Sequence, residues 1–299
     1  MLKACYSSRY FAKTHTNSME KLTAVAQVLE QDELADLVDP ESIDPRILYS
    51  IHDPAYVKAF MQGKKPMALI QGFKHWSPQF REAILSIQAG QLVATALALK
   101  YGISANVAQG FHHAVYERGN AYCTFNGLAL IAKQYPKKKI FVLDCDQHGG
   151  NGTAEYAEHI ENLFNFSIYG LAFGCRSHDR SFTRHIHPKK GNFEEYQTAI
   201  LEGFETALNW QADIVIYQAG MDCHQKDRFG SAWFSSEMLY QRDLMVFEMA
   251  KKYHLPIMFV LAGGYQPLID LVPLHVDTFR AANAVFYNHT PTTPILEHL

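Results

Sequence analysis

Residue types that bind metal ions are concentrated in residues 144–152, which read Asp-Cys-Asp-Gln-His-Gly-Gly-Asn-Gly. In an extended backbone, side chains two residues apart point to one face, so Asp144, Asp146 and His148 would share a face if extended backbone persisted that far. The glycines that follow favour a turn and let the backbone approach whatever these groups hold. The segment thus brings together two carboxylates and an imidazole, which are ligand types of metal sites.

This segment and two others place polar residues directly after short apolar runs, which predict buried strands. Asp222 follows the second run and Tyr265 follows the third. In open parallel α/β sheets, ligands bind outside the carboxyl ends of the strands, so we expect the three segments to converge on one crevice. The three runs are residues 140–143, 213–217 and 257–261.

Asp146, His148 and Asp222 form a set of two carboxylates and one imidazole. A catalytic zinc site typically has three protein ligands and a fourth position open for water, so this set predicts a zinc site. The same ligand types also accept Fe²⁺ or Co²⁺. A lone aspartate or histidine after a strand is more often a capping group, but the combination favours the metal site. The candidates for acid, base and electrophile are His112, His113 and Tyr265.

Helical stretches alternate with the apolar runs, which predicts an α/β fold whose central parallel sheet is covered by helices on both faces. Ser77 followed by Pro78 is typical of a helix start. We expect the histidine pair to follow that helix after a short connector. Residues 176–191 lack periodicity and predict a long surface loop. The other predicted helices are residues 19–29, 194–210, 236–253 and 276–286.

Five motifs make the chain similar to a known family. They are His-His-Ala at 112–114, Ala-Tyr-Cys-Thr-Phe-Asn at 121–126, the segment 144–153, Gly-Met-Asp at 220–222 and Gly-Gly-Tyr at 263–265. In this order they resemble the histone deacetylase superfamily, zinc amidohydrolases that include acetylpolyamine amidohydrolases and arginase-like folds. Shorter segments resemble its class IV-like branch and bacterial relatives, so the similarity extends from about residue 6 to about residue 285.

The resemblance implies a single-domain, three-layer α/β/α fold of the arginase/deacetylase type. It also implies zinc-dependent hydrolysis of an N-acyl amide, with an acylated lysine in a protein or peptide as substrate. Asp146, His148 and Asp222 would bind one zinc ion, which would polarise the scissile carbonyl and lower the pKa of its bound water. A structural K⁺ or Na⁺ ion would lie near Asp144 and Ser167.

By the same resemblance, His113 would be the general base, and His112, charged through Asp144, would serve the leaving amine. Tyr265 would donate a hydrogen bond to the developing oxyanion. Tyr122 would line the acyl channel, although a tyrosine near a glycine-rich turn could equally be a core residue. The products would be a free amine and a carboxylate.

The chain departs from the family pattern at positions that bear on proton affinity and substrate choice. Asn151 stands where a carboxylate partner of the second histidine is found in many relatives, so the proton affinity of His113 should be lower than that of His112. Residues 170–184 do not resemble the aromatic rim of the relatives, and the loop over residues 170–191 has no assigned role.

Two rival classes of function are considered beside the lysine deacetylase. One is a different enzyme on the same scaffold, either a long-chain lysine deacylase or an acetylpolyamine amidohydrolase. The other is a non-enzymatic interaction protein that keeps the fold with a dead site. The complete set of metal ligands and Tyr265 argues against the second class, because a dead site usually loses at least one such residue.

Composition agrees with a globular enzyme. A chain of 299 residues with 48% hydrophobic content can bury a large core, so we expect one domain over residues 1–299. The net charge of −3 gives no support to direct nucleic-acid binding, and scattered cysteines without paired spacing indicate reduced thiols. The N-terminal residues 1–9 contain no apolar stretch of signal-peptide length, and no stretch approaches the roughly 20 residues of a membrane span, which predicts a cytoplasmic protein.

Overall fold

The computed structural model describes residues 1–230 and 233–288. The expected single domain of residues 1–299 therefore includes residues 231–232 and 289–299, which lie outside the described part of the chain. The strands, numbered along the chain, are β1 (Lys3–Cys5), β2 (Asp36–Val38), β3 (Ile103–Asn106), β4 (Ile140–Asp144), β5 (Leu163–Tyr169), β6 (Ser181–His185), β7 (Ile214–Ala219) and β8 (Ile257–Leu261).

These strands form one sheet in the order β2-β1-β3-β8-β7-β4-β5-β6, and every neighbouring pair is parallel. The α-helices of the described residues are α1 (Glu20–Gln31), α2 (Pro54–Gln62), α3 (Pro78–Tyr101), α4 (Gly127–Gln134), α5 (Asn151–His159), α6 (Phe193–Asn209), α7 (Ser236–Lys252) and α8 (Leu268–Tyr287). Short 3-10 helices occupy Ser8–Tyr10, Pro45–Ser50 and Met67–Leu69.

Every residue of the central strands β4, β7 and β8 is buried. Such continuous burial is typical of parallel strands that are covered by helices on both faces, because neither face meets water. The predicted α/β fold of the arginase/deacetylase type with a central parallel sheet is confirmed. The carboxyl ends of the three strands lie side by side, with Asp144 paired to Gln218 and Gln218 paired to Val260.

Polar caps begin the long helices where the sequence predicts them. The Ser77 hydroxyl accepts a hydrogen bond from the Phe80 amide at 3.0 Å, and Pro78 occupies the first helical position of α3. Asn192 and Ser235 cap α6 and α7 in the same way. Helices α6 and α7 agree with the predicted helices to within two residues at each end, and so does α1, which begins after Met19 without a side-chain cap.

Two predictions about connecting segments are wrong. The histidine pair does not follow α3 after a short connector, because the buried strand β3 lies between them. Residues 176–191 are not a continuous loop, since they contain β6 at the edge of the sheet. Only Ser181 of β6 is buried. The sequence of this strand lacks the alternation of apolar and polar residues that predicts a half-buried strand.

Helix α8 begins at Leu268, eight residues before the predicted start at residue 276, and it contains Pro273. A proline inside a helix removes the hydrogen bond to the carbonyl four residues earlier and usually marks a boundary. Here that carbonyl belongs to Ile269, which is 85% exposed in the first turn, so water can satisfy it.

We expected no segment long and apolar enough to span a membrane. This expectation is wrong for α3, whose length and composition meet that requirement. However, 67% of its most apolar window is buried inside the protein. This helix packs on β3 and contributes to the core, as an apolar helix in the interior of a globular protein does.

Candidate metal centre and catalytic site

Asp146, His148 and Asp222 converge beyond the carboxyl ends of β4 and β7, and their ligand atoms all lie within 4.8 Å of one another. His148 Nδ1 is 3.4 Å from Asp146 Oδ1 and 2.9 Å from Asp222 Oδ2. Ligands at about 2.0–2.2 Å from a tetrahedral ion are separated by about 3.4 Å, which is close to these distances. The three residues could therefore hold a metal ion, as the sequence indicates.

The backbone beyond β4 does not stay extended, so the predicted sharing of one face by alternate residues fails for Asp144. Strand β4 ends at Asp144, whose carboxylate accepts hydrogen bonds from His112 Nδ1 at 2.7 Å and from the Asp146 amide at 3.0 Å. The Asp144 carboxylate is thus occupied by His112 and the Asp146 amide, and Asp144 is not part of the candidate ligand set. Ser167, its register partner on β5, accepts a hydrogen bond from the Gly150 amide at 3.2 Å.

Gly263 brings the backbone after β8 against the metal ligands. Its amide donates to Asp146 Oδ2 at 2.7 Å. A Cβ atom at this position would lie 2.6 Å from the same oxygen and would overlap the Asp222 carboxylate. A side chain here would push on both carboxylates, which explains why the strand is followed by a glycine.

Burial and mutual charge shift the pKa values of the three candidate ligands. Burial raises the pKa of Asp222 to about 7, and the nearby charge of Asp146 adds to this effect. Burial alone would raise the pKa of Asp146, but the charges of His112 and His148 outweigh burial and hold this pKa well below the usual range. Hydrogen bonds to both carboxylates outweigh burial and raise the pKa of His148 to about 11. Two crowded carboxylates favour a cation between them, and a divalent ion would displace the proton from His148.

The paired histidines have different partners and different proton affinities. Burial lowers the pKa of His112, but the carboxylates of Asp144 and Asp146 outweigh burial and raise it. His113 Nδ1 donates to Asn151 Oδ1 at 2.7 Å, and burial together with the charge of His112 lowers its pKa well below the usual range. Because an amide oxygen only accepts, the neutral His113 ring carries its proton on Nδ1 and leaves the Nε2 lone pair free.

Aromatic rings line a channel of about 200 Å³ whose wall also includes His113 and His148. Tyr122 and Tyr265 form part of its wall, with ring centroids 6.4 Å apart. Phe173 lies against His113 at 4.4 Å, and Phe229 lies against Tyr265 at 5.0 Å. The sequence analysis missed both phenylalanines, and Phe173 lies in the segment expected to lack an aromatic rim.

Tyr265 follows the glycine pair after β8 and is a donor at neutral pH, because burial raises the pKa of its phenol well above the usual range. Its backbone amide donates to Asp227 Oδ2 at 2.7 Å. The other oxygen of Asp227 accepts from the amides of Phe229 at 2.8 Å and Gly230 at 3.0 Å. The buried Asp227 carboxylate therefore ties together the two loops that carry Tyr265 and Phe229, a role that the sequence analysis did not assign.

Replacing Asp227 by alanine should lower kcat by roughly tenfold or more, because a small displacement of a catalytic donor is costly. It should also lower the free energy of unfolding by about 2 kcal/mol, since three backbone donors lose a charged acceptor. Asp227→Asn, which keeps one acceptor oxygen, should recover part of kcat. Steady-state kinetics and thermal unfolding of the two variants measure these effects. An unchanged kcat in a destabilised Asp227→Ala protein would limit Asp227 to a role in stability.

Lys21 is a second residue near the site that the sequence analysis did not single out. Its ammonium group is buried, donates to the carbonyl of Ala262 and lines a small internal cavity that also reaches Asp146 and His112. Burial lowers the pKa of Lys21 to about 8, while the charges of Asp146 and Asp222 oppose that shift. Lys21 thus places a positive charge behind the acidic ligand set.

The five cysteines are free and buried, which agrees with the expected reduced thiols. Burial raises the pKa of Cys145 to about 12 and raises that of Cys123 still further. Thiols with such pKa values stay protonated at neutral pH, so these cysteines pack in the core and are poor nucleophiles.

Similarity to known proteins identifies the family of this chain. The histone deacetylase domain family matches residues 15–276. An uncharacterized protein of Picosynechococcus sp. is 30% identical over 254 residues, which cover 83% of this chain and 85% of that protein. Histone deacetylase 2 of Arabidopsis thaliana is 29% identical over 59% of this chain and 48% of its own length. A probable deacetylase of Methanothermobacter thermautotrophicus is 24% identical over 88% of this chain and 85% of its own length. This chain therefore belongs to the histone deacetylase family, a family of hydrolases that act on amides.

Proposed function

We propose that the protein is a zinc-dependent deacetylase that hydrolyses the amide of an acylated lysine in a protein or peptide. The observation that carries this proposal is that the ligand set Asp146, His148 and Asp222 lies beside an aromatic channel whose lining includes His113 and His148. A zinc ion held by these residues would act as a Lewis acid on the scissile carbonyl and lower the pKa of a bound water. Fe²⁺ or Co²⁺ would suit the same ligands.

The residues around the ligand set supply the proton transfers. His113 Nε2 takes a proton from the attacking water, since its Nδ1 is occupied by Asn151 and its low pKa keeps it unprotonated. His112, kept charged by Asp144, donates a proton from Nε2 to the leaving amine. The Tyr265 hydroxyl donates to the oxygen on which negative charge develops. The products are a free lysine and a carboxylate.

The surrounding structure supports further parts of the proposal. Tyr122 confines the acyl group by forming one wall of the channel. Asp144 and Ser167, which are register partners on β4 and β5, lie beside the position proposed for a structural K⁺ or Na⁺ ion. We also propose that the chain forms one catalytic domain and that it acts in the cytoplasm. The complete catalytic set makes a non-enzymatic interaction protein the weaker hypothesis.

Substitution of Tyr265 by phenylalanine tests the proposed oxyanion donor. If the hydroxyl stabilises charge that appears only in the transition state, kcat should fall roughly a hundredfold or more while KM and metal content stay near normal. A tyrosine that only satisfied a backbone group would instead cost about 1 kcal/mol of stability and leave the rate unchanged. Steady-state kinetics with an acetyl-lysine peptide, together with metal analysis of both proteins, distinguish these results.

A panel of acylated amines tests the proposed reaction directly. The panel contains acetyl-, formyl- and myristoyl-lysine peptides together with acetylated polyamines, and the release of free amine is measured. We expect the short-chain acyl-lysine peptides to be hydrolysed with the highest kcat/KM. Preference for the myristoyl peptide would identify a long-chain deacylase, and preference for acetylpolyamines would identify the other enzyme considered above.

A further inference from the structure

Basic side chains without ion-pair partners flank the aromatic walls of the channel. Resting on the proposed deacetylase function, we propose that the channel mouth selects acyl-lysine residues in acidic peptide segments and disfavours cationic carriers such as polyamines. The whole chain has a net charge of −3, so basic groups at the mouth do not reflect a general excess of basic residues.

The first basic group lies on the Phe229 wall. Phe229 lines the channel and is 45% exposed, and the guanidinium carbon of Arg228 is 4.8 Å from its ring centroid. Among the ion pairs of residues 1–230 and 233–288, none includes Arg228. The neighbouring Lys226, by contrast, is neutralised by Asp270 at 2.8 Å. Arg228 therefore places beside the channel wall a positive charge that forms no ion pair with any described residue.

The second basic group, Lys74, lies near the Tyr122 wall. The His15 ring is 5.9 Å from the Tyr122 ring and 6.2 Å from the Phe73 ring. Burial lowers the pKa of His15, and the charge of Lys74 lowers it further. Lys74 directly follows Phe73, whose ring centroid is 5.4 Å from that of Tyr122. Lys74 is exposed and forms no ion pair with any described residue.

The third wall residue, Phe173, is followed three positions later by Arg176, which is exposed and has no ion-pair partner in the described part of the chain. The side chains that line the channel itself include no carboxylate. The exposed basic groups near the channel walls thus include Arg228 and Lys74, with Arg176 close in sequence to the third wall.

These charges favour one class of acylated amine. Exposed charges act over a distance of about 8 Å at physiological salt, so residues one or two positions from an acyl-lysine in the channel would feel them. Aspartate or glutamate at these positions would be attracted, whereas the ammonium groups of a polyamine would be repelled. We expect the selection to act on binding, because none of these basic groups lines the channel itself.

Three peptides that differ only in the residues flanking one acetyl-lysine test this proposal. The flanking residues are aspartate, alanine or lysine, and an acetylpolyamine serves as the small cationic substrate. At low salt, we expect kcat/KM to be about tenfold higher for the acidic peptide than for the neutral one, with most of the difference in KM. The difference should shrink at high salt, and the lysine peptide and the polyamine should be the poorest substrates.

Charge-reversal variants identify the responsible residues. Arg228→Glu and Lys74→Glu should each reduce the ratio of kcat/KM between acidic and neutral peptides by roughly threefold. Lys133→Glu is the matched control. Lys133 is exposed in the last turn of α4, and the chain after α4 leads to the amino end of β4. The channel lies at the carboxyl ends of the strands, so Lys133 is on the opposite side of the sheet from it. This control should leave the ratio unchanged.

Equal kcat/KM for the three peptides, a preference for the lysine peptide or the polyamine, or a ratio unaffected by both charge reversals would overturn the proposed selection. Such results would still show amide hydrolysis and would leave the deacetylase function intact. Failure of the proposed function is a different result, namely no hydrolysis of the neutral peptide or of any other acylated amine by the metal-loaded protein.

Discussion

Asp222→Ala should lower the affinity for zinc by more than about 100-fold and reduce kcat/KM on an acetyl-lysine peptide by on the order of a thousandfold. Asp222 is fully buried and would supply one of the three ligand atoms, and its Oδ2 is 2.9 Å from His148 Nδ1. With this oxygen removed, Asp146 and His148 would be the only remaining ligands at this site, and two ligands do not hold a divalent ion tightly. Elemental analysis after dialysis and steady-state kinetics measure the two effects.

A matched variant separates loss of the ligand from loss of the fold. Asp222 Oδ1 also accepts a hydrogen bond from the Gln147 amide at 2.9 Å, so alanine removes a structural contact as well. Asp222→Asn keeps an acceptor oxygen for that amide but removes the negative charge. We expect Asp222→Asn to unfold at nearly the wild-type temperature and still to bind zinc weakly. Stoichiometric zinc retained by Asp222→Ala would contradict the assignment of this residue as a ligand.

His113→Ala should reduce kcat by roughly a thousandfold or more while zinc binding survives, because the variant lacks the general base. His113 belongs to a different loop from the metal ligands, and its ring centroid is 6.3 Å from that of His148. Zinc content therefore provides the control for the integrity of the site. A near-normal kcat in this variant would require reassignment of the base to His112.

The pH dependence of kcat/KM gives a second test of His113 as the general base, through its hydrogen-bond partner Asn151. His113 acts as a base only when it is neutral, and its pKa is lowered by burial and by the charge of His112, so wild-type activity should persist well below pH 6.5. Asn151→Asp would place a carboxylate on Nδ1, raise the pKa of His113 and move the acidic limb of the profile to higher pH. An acidic limb that stayed in place would show that another group controls it.

The sequence predicted the central elements well because their signals are local. The buried runs of β4, β7 and β8 are continuous and apolar. Because the strands are parallel, the polar residues that follow them lie at the same edge of the sheet, whatever the conformation of the loops. The convergence of Asp146, His148 and Asp222 follows from that topology. Helix α3 was equally visible, since a serine cap and a proline mark its start.

The elements that were missed depend on contacts between distant segments. Strand β6 has one buried residue and is held by pairing with β5. Phe173 reaches the channel through a left-handed backbone conformation (φ 49°), which the sequence does not reveal at a non-glycine position. Asp227 binds the amide of Tyr265, 38 residues away, and no local pattern marks such a contact. The Asp144 carboxylate binds the imidazole of His112, which is 32 residues away in the chain.

The central claim is that one divalent ion, held by Asp146, His148 and Asp222, is required for hydrolysis of an acyl-lysine amide. The most direct test removes metal from the wild-type protein with a chelator, adds zinc back in steps and measures free lysine released from an acetyl-lysine peptide. Turnover should be lost on chelation and should rise in proportion to added zinc until one ion is bound per chain. Turnover that persists in the metal-depleted protein, or that stays absent when one zinc ion is bound at these residues, would contradict the claim.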